Sequence, residues 1–205
     1  MTIPRPSRGD GFALGLIATG SISIAVAAAV SIVMNAIDRF GAEPVVRMPL
    51  HDAPASAYVD VAGIADAEYS SVLLTLDEAS QGVRWLLFLE GALPALATIG
   101  VCLVAWWLGI SLIRARPFHR SMTWAIGAAA ILVMLGGMLG QVFGAFGRAV
   151  LVDELAASTP EVLDTLWTFL AELDLAPLGW GLALALIAGA FDIGRRMQRE
   201  TEGLV

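Results

Sequence analysis

Four stretches of this chain are each long and apolar enough to cross the roughly 30 Å hydrocarbon core of a bilayer, which takes about 20 helical residues. They cover about residues 12–37, 85–113, 122–146 and 175–193. Lipid offers backbone N–H and C=O groups no partner, so each stretch must satisfy its own backbone as a helix. Composition points the same way. Hydrophobic residues make up 58% of the chain and charged ones 15%, against about 45–50% and about 25% in soluble domains. The expected fold is an all-α membrane protein, a four-transmembrane-helix bundle forming a single integral membrane domain over residues 1–205. Ala25-Val26-Ala27 in the first stretch resembles a signal-peptide cleavage site. The apolar run continues to Ile37, however, past the roughly 7–15 residues of a secretory h-region, so it reads as a retained anchor.

The arginines set the orientation. Arg5, Arg8, Arg114, Arg116, Arg120, Arg195, Arg196 and Arg199 fall on one side of the four spans, and Arg39, Arg47, Arg84 and Arg148 on the other. The side with eight is cytoplasmic by the positive-inside rule, which places both termini inside. Outer loops 38–84 and 147–174 carry fourteen acidic residues against four arginines, whereas the inner turn 114–121 and the two cytoplasmic ends, including tail 194–205, are net basic. Every one of the 12 basic residues is arginine. Such usage is typical of GC-rich genomes, which points to a bacterium and to its plasma membrane. The net charge of -7 argues against direct nucleic-acid binding. Cys102 is the single cysteine and lies within an apolar run. It has no intrachain disulfide partner and is expected to pack as a small buried hydrophobe.

The outer loops are long enough to form a small extracellular subdomain. Residues 57–61 and 71–76 alternate as half-buried strands do, which predicts a β-hairpin turning at 62–66. Residues 43–56 contain Pro44, Pro49 and Pro54 and read as irregular chain. In the second loop, Ser158-Thr159-Pro160-Glu161 has the pattern of a capping box with proline in the first turn. The apolar residues that follow, up to Leu173, predict one amphipathic helix.

Polar residues inside lipid are functional candidates. Asn35, Glu90 and Gln141 fall at a similar depth in three spans. They form either a hydrogen-bonded cluster that holds the helices or an ion- or proton-binding site centred on Glu90. Pro94 follows Glu90 and predicts a kink. Gly136, Gly140 and Gly144 form a ridge of small residues on the third span. Such a ridge serves close packing inside the bundle or self-association into a homo-oligomer. His51 and His119 lie on opposite sides of the membrane, and no GxSxG, HExxH, P-loop or CxxC motif occurs. No metal, no cofactor and no enzymatic activity are expected. The alternative to a protein acting through contacts is a homo-oligomeric channel or transporter subunit whose acidic outer loops gather cations.

The inner turn reads Gly109-Ile110-Ser111-Leu112-Ile113-Arg114-Ala115-Arg116-Pro117-Phe118-His119, and the chain ends Ala190-Phe191-Asp192-Ile193-Gly194-Arg195-Arg196-Met197-Gln198-Arg199-Glu200-Thr201-Glu202-Gly203-Leu204-Val205. These two segments resemble the bacterial four-span membrane family known as domain of unknown function 2975. Its members place a Pro-Phe pair after the second span. They end in a phenylalanine, a glycine, a Met or Leu, acidic residues and a closing apolar pair. The resemblance covers the spans and the cytoplasmic face and leaves the longer outer loops uncovered. It implies a cytoplasmic contact surface made of Arg114, Arg116, Pro117, Phe118, Arg195, Arg196 and Arg199, with a small helix-turn-helix regulator as partner. The same arginines also suit anchoring to the anionic lipid of the bilayer.

Overall fold

The computed structural model describes residues 8–51, 54, 68–113, 120–167, 169 and 173–202. The chain is mostly helical, with α1 Arg8–Phe40, β1 Val45–Pro49, β2 Ser71–Thr75, α2 Gln81–Ile113, α3 Arg120–Ser158, a short 3-10 helix Pro160–Asp164, and α4 Ala176–Glu202. All four α-helices contain a segment long and apolar enough to cross a membrane: Gly15–Phe40, Gln81–Ser111, Thr123–Ser158 and Ala176–Gly194. The backbone divides into two compact units. One comprises Met1–Ile32, Leu93–Leu139 and Asp174–Val205, and the other Val33–Ala92 and Gly140–Leu173.

The first unit is apolar helix throughout most of its length. Leu16, Ile17, Ile24, Val26 and Val30 of α1, and Leu182, Leu186 and Ile187 of α4, are exposed. In α1 only 6% of the most apolar window is buried. So large an apolar surface cannot face water in a stable monomer and is the surface that lipid covers. Close approach between helices comes from glycine. A Cβ on Gly136 of α3 would stand 2.7 Å from Ala97 Cβ and 2.9 Å from the Leu93 carbonyl oxygen of α2. Gly137 lies against Pro177 of α4, and Gly181 of α4 lies against Met134 and the Ala130 carbonyl of α3. Asp174 starts α4 by accepting the Ala176 N–H at 2.9 Å. Trp106, Trp107, Trp124 and Trp180 are all exposed, as residues of an interfacial belt are. Cys102 is buried.

Gly136→Ala is therefore expected to lower stability by about 2 kcal/mol, because a backbone carbonyl and a short side chain cannot step aside. Gly20→Ala in α1, with nothing within 4 Å of its added Cβ, should instead be neutral or stabilising by up to about 1 kcal/mol. Chemical unfolding of both variants in detergent, followed by tryptophan fluorescence, distinguishes the two. Equal effects would show that α3 does not approach α2 through Gly136.

The second unit is built around an antiparallel strand pair in which Val45 faces Thr75 and Pro49 faces Ser71. Val46 and Met48 of β1 point inward and are buried, while Val45 and Arg47 point out. The core they enter is completed by Leu76 just after β2, Val83 and Leu87 at the start of α2, Leu151 and Val152 near the end of α3, and Leu166. At 1.5 Å per residue the 39 residues of α3 measure about 58 Å, roughly twice the hydrocarbon thickness. The end of α3 is thus a helix in a folded subdomain rather than a span.

Three expectations are corrected here. The first strand of the pair is Val45–Pro49, inside the segment read as irregular, whereas residues 57–61 lie outside the described residues. Proline is tolerated because Pro49 ends the strand and Pro44 precedes it, and neither has to donate within the ladder. Pro44 instead accepts the Leu76 N–H at 3.1 Å. Second, α3 does not stop at residue 146 but continues to Ser158, since Arg148, Asp153 and Glu154 end an apolar run without breaking a helix. Third, no amphipathic α-helix begins at Ser158. The Ser158 hydroxyl bonds back to the Leu155 carbonyl at 2.9 Å, so it finishes α3 and cannot cap a new helix. Thr159 makes no side-chain cap bond either. Beyond the 3-10 turn the chain extends: Leu166 bridges to Leu50, His51 N–H donates to Thr165 at 2.9 Å, and Trp167 Nε1 donates to the Leu50 carbonyl at 3.2 Å.

Candidate functional site

The polar centre of the second unit grows out of a local weakness in α2. Pro94 lacks the N–H that would bond to the carbonyl four residues earlier, that of Glu90. Gly91 next to it leaves room for a neighbouring side chain. Asn35 of α1 fills that room, since a Cβ on Gly91 would stand 2.5 Å from Asn35 Nδ2. From there Asn35 Nδ2 donates to the Phe88 carbonyl at 3.0 Å. On the α3 side Gly144 provides the space for Glu90, because a Cβ at Gly144 would fall on the Glu90 carboxylate. Gly140, one turn before Gly144 on α3, is buried. Small residues on α2 and α3 thus make room for polar side chains as well as for helix contact.

Glu90 does not stand alone at this depth. Arg148 Nη1 donates to Glu90 Oε1 at 2.6 Å, with side chains 21% and 30% exposed for Arg148 and Glu90 respectively. A short charge-assisted bond of this kind in a half-buried site ties the two helices firmly. Arg39, one turn beyond Asn35, donates from Nε to Asn35 Oδ1 at 3.4 Å and from Nη1 to the Val45 carbonyl at 2.8 Å. Arg47 Nε reaches Ser71 Oγ at 2.9 Å, across the strand pair. Arg84 closes the end of α1: its Nη1 donates to the carbonyls of Arg39 and Gly41 at 3.2 and 2.7 Å. A cation there complements the negative end of the helix dipole.

A cavity of about 480 Å³ opens among these groups. Arg39, Arg47, Arg148, Glu90 and Gln141 line it, together with Ser70, Ser71, Val46 and Pro49. The structure therefore brings two of the three predicted intramembrane polar residues, Glu90 and Gln141, to one cavity, and joins Asn35 to it through Arg39. What the sequence reading missed are the cations. Arg39, Arg47, Arg84 and Arg148 entered it only as a count of positive charge, yet each is a hydrogen-bonding element of this unit. The available signal was spacing. Arg39 follows Asn35 by four residues, and Arg148 follows Gly144 by four, which places each pair on one helix face.

The glycine ridge is divided between the two units. Gly136 meets Leu93 and Ala97, and Gly144 meets Glu90. On the other face of function, Arg114, Arg116, Pro117 and Phe118 lie outside the described residues. Arg195, Arg196 and Arg199 fall within α4, whose helix continues to Glu202 past the end of the apolar segment at Gly194. Met197 on that extension is 58% exposed. Among the described residues no group of three or more His, Cys, Asp and Glu side chains is placed to hold a metal ion. No family model, curated protein or solved structure gives a significant match to this chain.

Proposed function

We propose that this chain is a non-catalytic, four-span protein of a bacterial plasma membrane, with both termini cytoplasmic, that acts by contacting other proteins. Its contact surface is the Arg-Pro-Phe turn and the basic end of α4. The partner class is a small helix-turn-helix regulator, as the resemblance to domain of unknown function 2975 suggests. The observation that carries this reading is the continuation of α4 from Gly194 to Glu202. A chain that needed only a lipid anchor would have no use for an ordered helix beyond the bilayer. Met197 on this extension is exposed, and the same stretch of sequence carries Arg195, Arg196 and Arg199. An exposed apolar residue in an arginine-rich helix end suits a protein partner with an acidic groove.

Photo-crosslinking in intact cells tests the reading. A benzophenone amino acid at Phe118 and at Met197 should each give an adduct with the same cytoplasmic helix-turn-helix protein, and at Trp180 none. Absence of any protein adduct from Phe118 and Met197 at native expression overturns it. The channel alternative draws no support from the cavity of the second unit, where three arginines face one glutamate and the field repels cations.

A further inference from the structure

We propose that the cavity of the second unit is a binding site for a phosphate-bearing anion. This site is separate from the cytoplasmic contact surface, and either can fail without the other. A chain with a net charge of -7 and only 12 arginines directs three of them, Arg39, Arg47 and Arg148, to one cavity. They come from different elements, α1, β1 and α3. Glu90 is the one carboxylate that lines this space among the described residues, and it is paired with Arg148. Among the described residues, Arg39 and Arg47 bond to neutral oxygens: the Asn35 amide, the Val45 carbonyl and the Ser71 hydroxyl. Among the described residues, two guanidinium charges in the cavity thus have no carboxylate partner.

Geometry favours an oxyanion. Each guanidinium is held along one edge by a hydrogen bond, which fixes the planar fork and leaves further N–H donors for a ligand. Such pre-positioning lowers the entropy cost of binding. A tetrahedral phosphate has enough oxygens to accept from several guanidinium groups at once, and Ser71 and Gln141 add neutral polar contacts around them. About 480 Å³ exceeds what inorganic phosphate fills and lies in the range of small-molecule sites. The space leaves room for an organic part on the ligand. A phospholipid headgroup and a soluble phosphate ester share this chemistry.

The full-length protein in phosphatidylcholine nanodiscs, titrated calorimetrically with sn-glycerol 3-phosphate, tests the soluble source. Nanodiscs containing phosphatidylglycerol, with retained lipid measured by mass spectrometry after detergent extraction, test the headgroup. Arg47→Gln should weaken whichever ligand binds by about tenfold, the loss of one charge-assisted contact. Glu90→Gln should tighten it several-fold by releasing Arg148. Binding of glycerol phosphate in phosphatidylcholine assigns a soluble ligand. Retention of phosphatidylglycerol that falls in Arg47→Gln assigns a headgroup. Failure of the wild type to bind either, or wild-type binding by Arg47→Gln, overturns the site. If Glu90→Gln does not fold, Arg47→Gln decides alone, because Arg47 is exposed and its loss removes one hydrogen bond, to Ser71.

Discussion

Leu151→Ala should cost this protein about 3 kcal/mol of stability. Leu151 is 1% exposed and packs in the core that unites the strand pair with α2 and α3. Truncating a fully buried leucine removes its transfer energy and leaves a cavity that rigid neighbours only partly close, a combined loss in the range of about 2–5 kcal/mol. Met48 of β1, in the same core, is itself wholly buried, so relaxation into the hole is limited. Chemical unfolding of the full chain in detergent, followed by tryptophan fluorescence, measures the loss. A change below about 1 kcal/mol would mean that residue 151 lies in an exposed connection, and the long α3 would be wrong. The test bears on the subdomain as a whole, because without the last turns of α3 the strand pair has too little apolar surface to stand alone.

Arg148→Ala should be comparably damaging, at about 2–3 kcal/mol, for a different reason. It leaves the Glu90 carboxylate half-buried without its 2.6 Å partner. Removing one member of a fully buried ion pair costs about 3–5 kcal/mol. The value here is lower because water reaches part of both side chains. The diagnostic feature is non-additivity. Glu90→Gln combined with Arg148→Ala should be less destabilised than Arg148→Ala alone, since the stranded charge is gone. A double variant whose loss equals the sum of the two single losses would show that the two side chains do not interact.

These two residues mark what separates the legible from the illegible in this chain. Apolar runs near residues 12–37, 85–113 and 175–193 betray helices because in lipid length and hydrophobicity nearly suffice. The same criterion misplaces the end of α3. Arg148, Asp153 and Glu154 signal departure from lipid, and departure from lipid is not the end of a helix. The spacing of Leu151, Val152 and Leu155 could have shown the continuation. β1 was obscured by flanking prolines, although its inward pair Val46 and Met48 alternates properly with Arg47. The expected helix at Ser158 failed because a cap motif states only what a hydroxyl is able to bond. The Leu155 carbonyl of α3 reached it first.

At the polar centre, sequence depth alone grouped Asn35, Glu90 and Gln141, because positions at equal distance from span ends fall at equal height. Depth carries no information on which helix faces face one another, nor on residues counted as loop. Pairing Glu90 with Arg148, and Asn35 with the Phe88 carbonyl, depends on helix rotation. That rotation is decided by where Gly91, Gly136 and Gly144 allow backbones and side chains to meet. Four apolar helices, the uneven distribution of arginine among the segments that join them and the similar height of the polar residues are legible from local composition. That Arg39, Arg47, Arg84 and Arg148 become structural hydrogen-bond donors, and that three of them line a cavity, emerges from packing. That outcome rests on contacts between residues up to 58 positions apart, whose geometry no local property encodes.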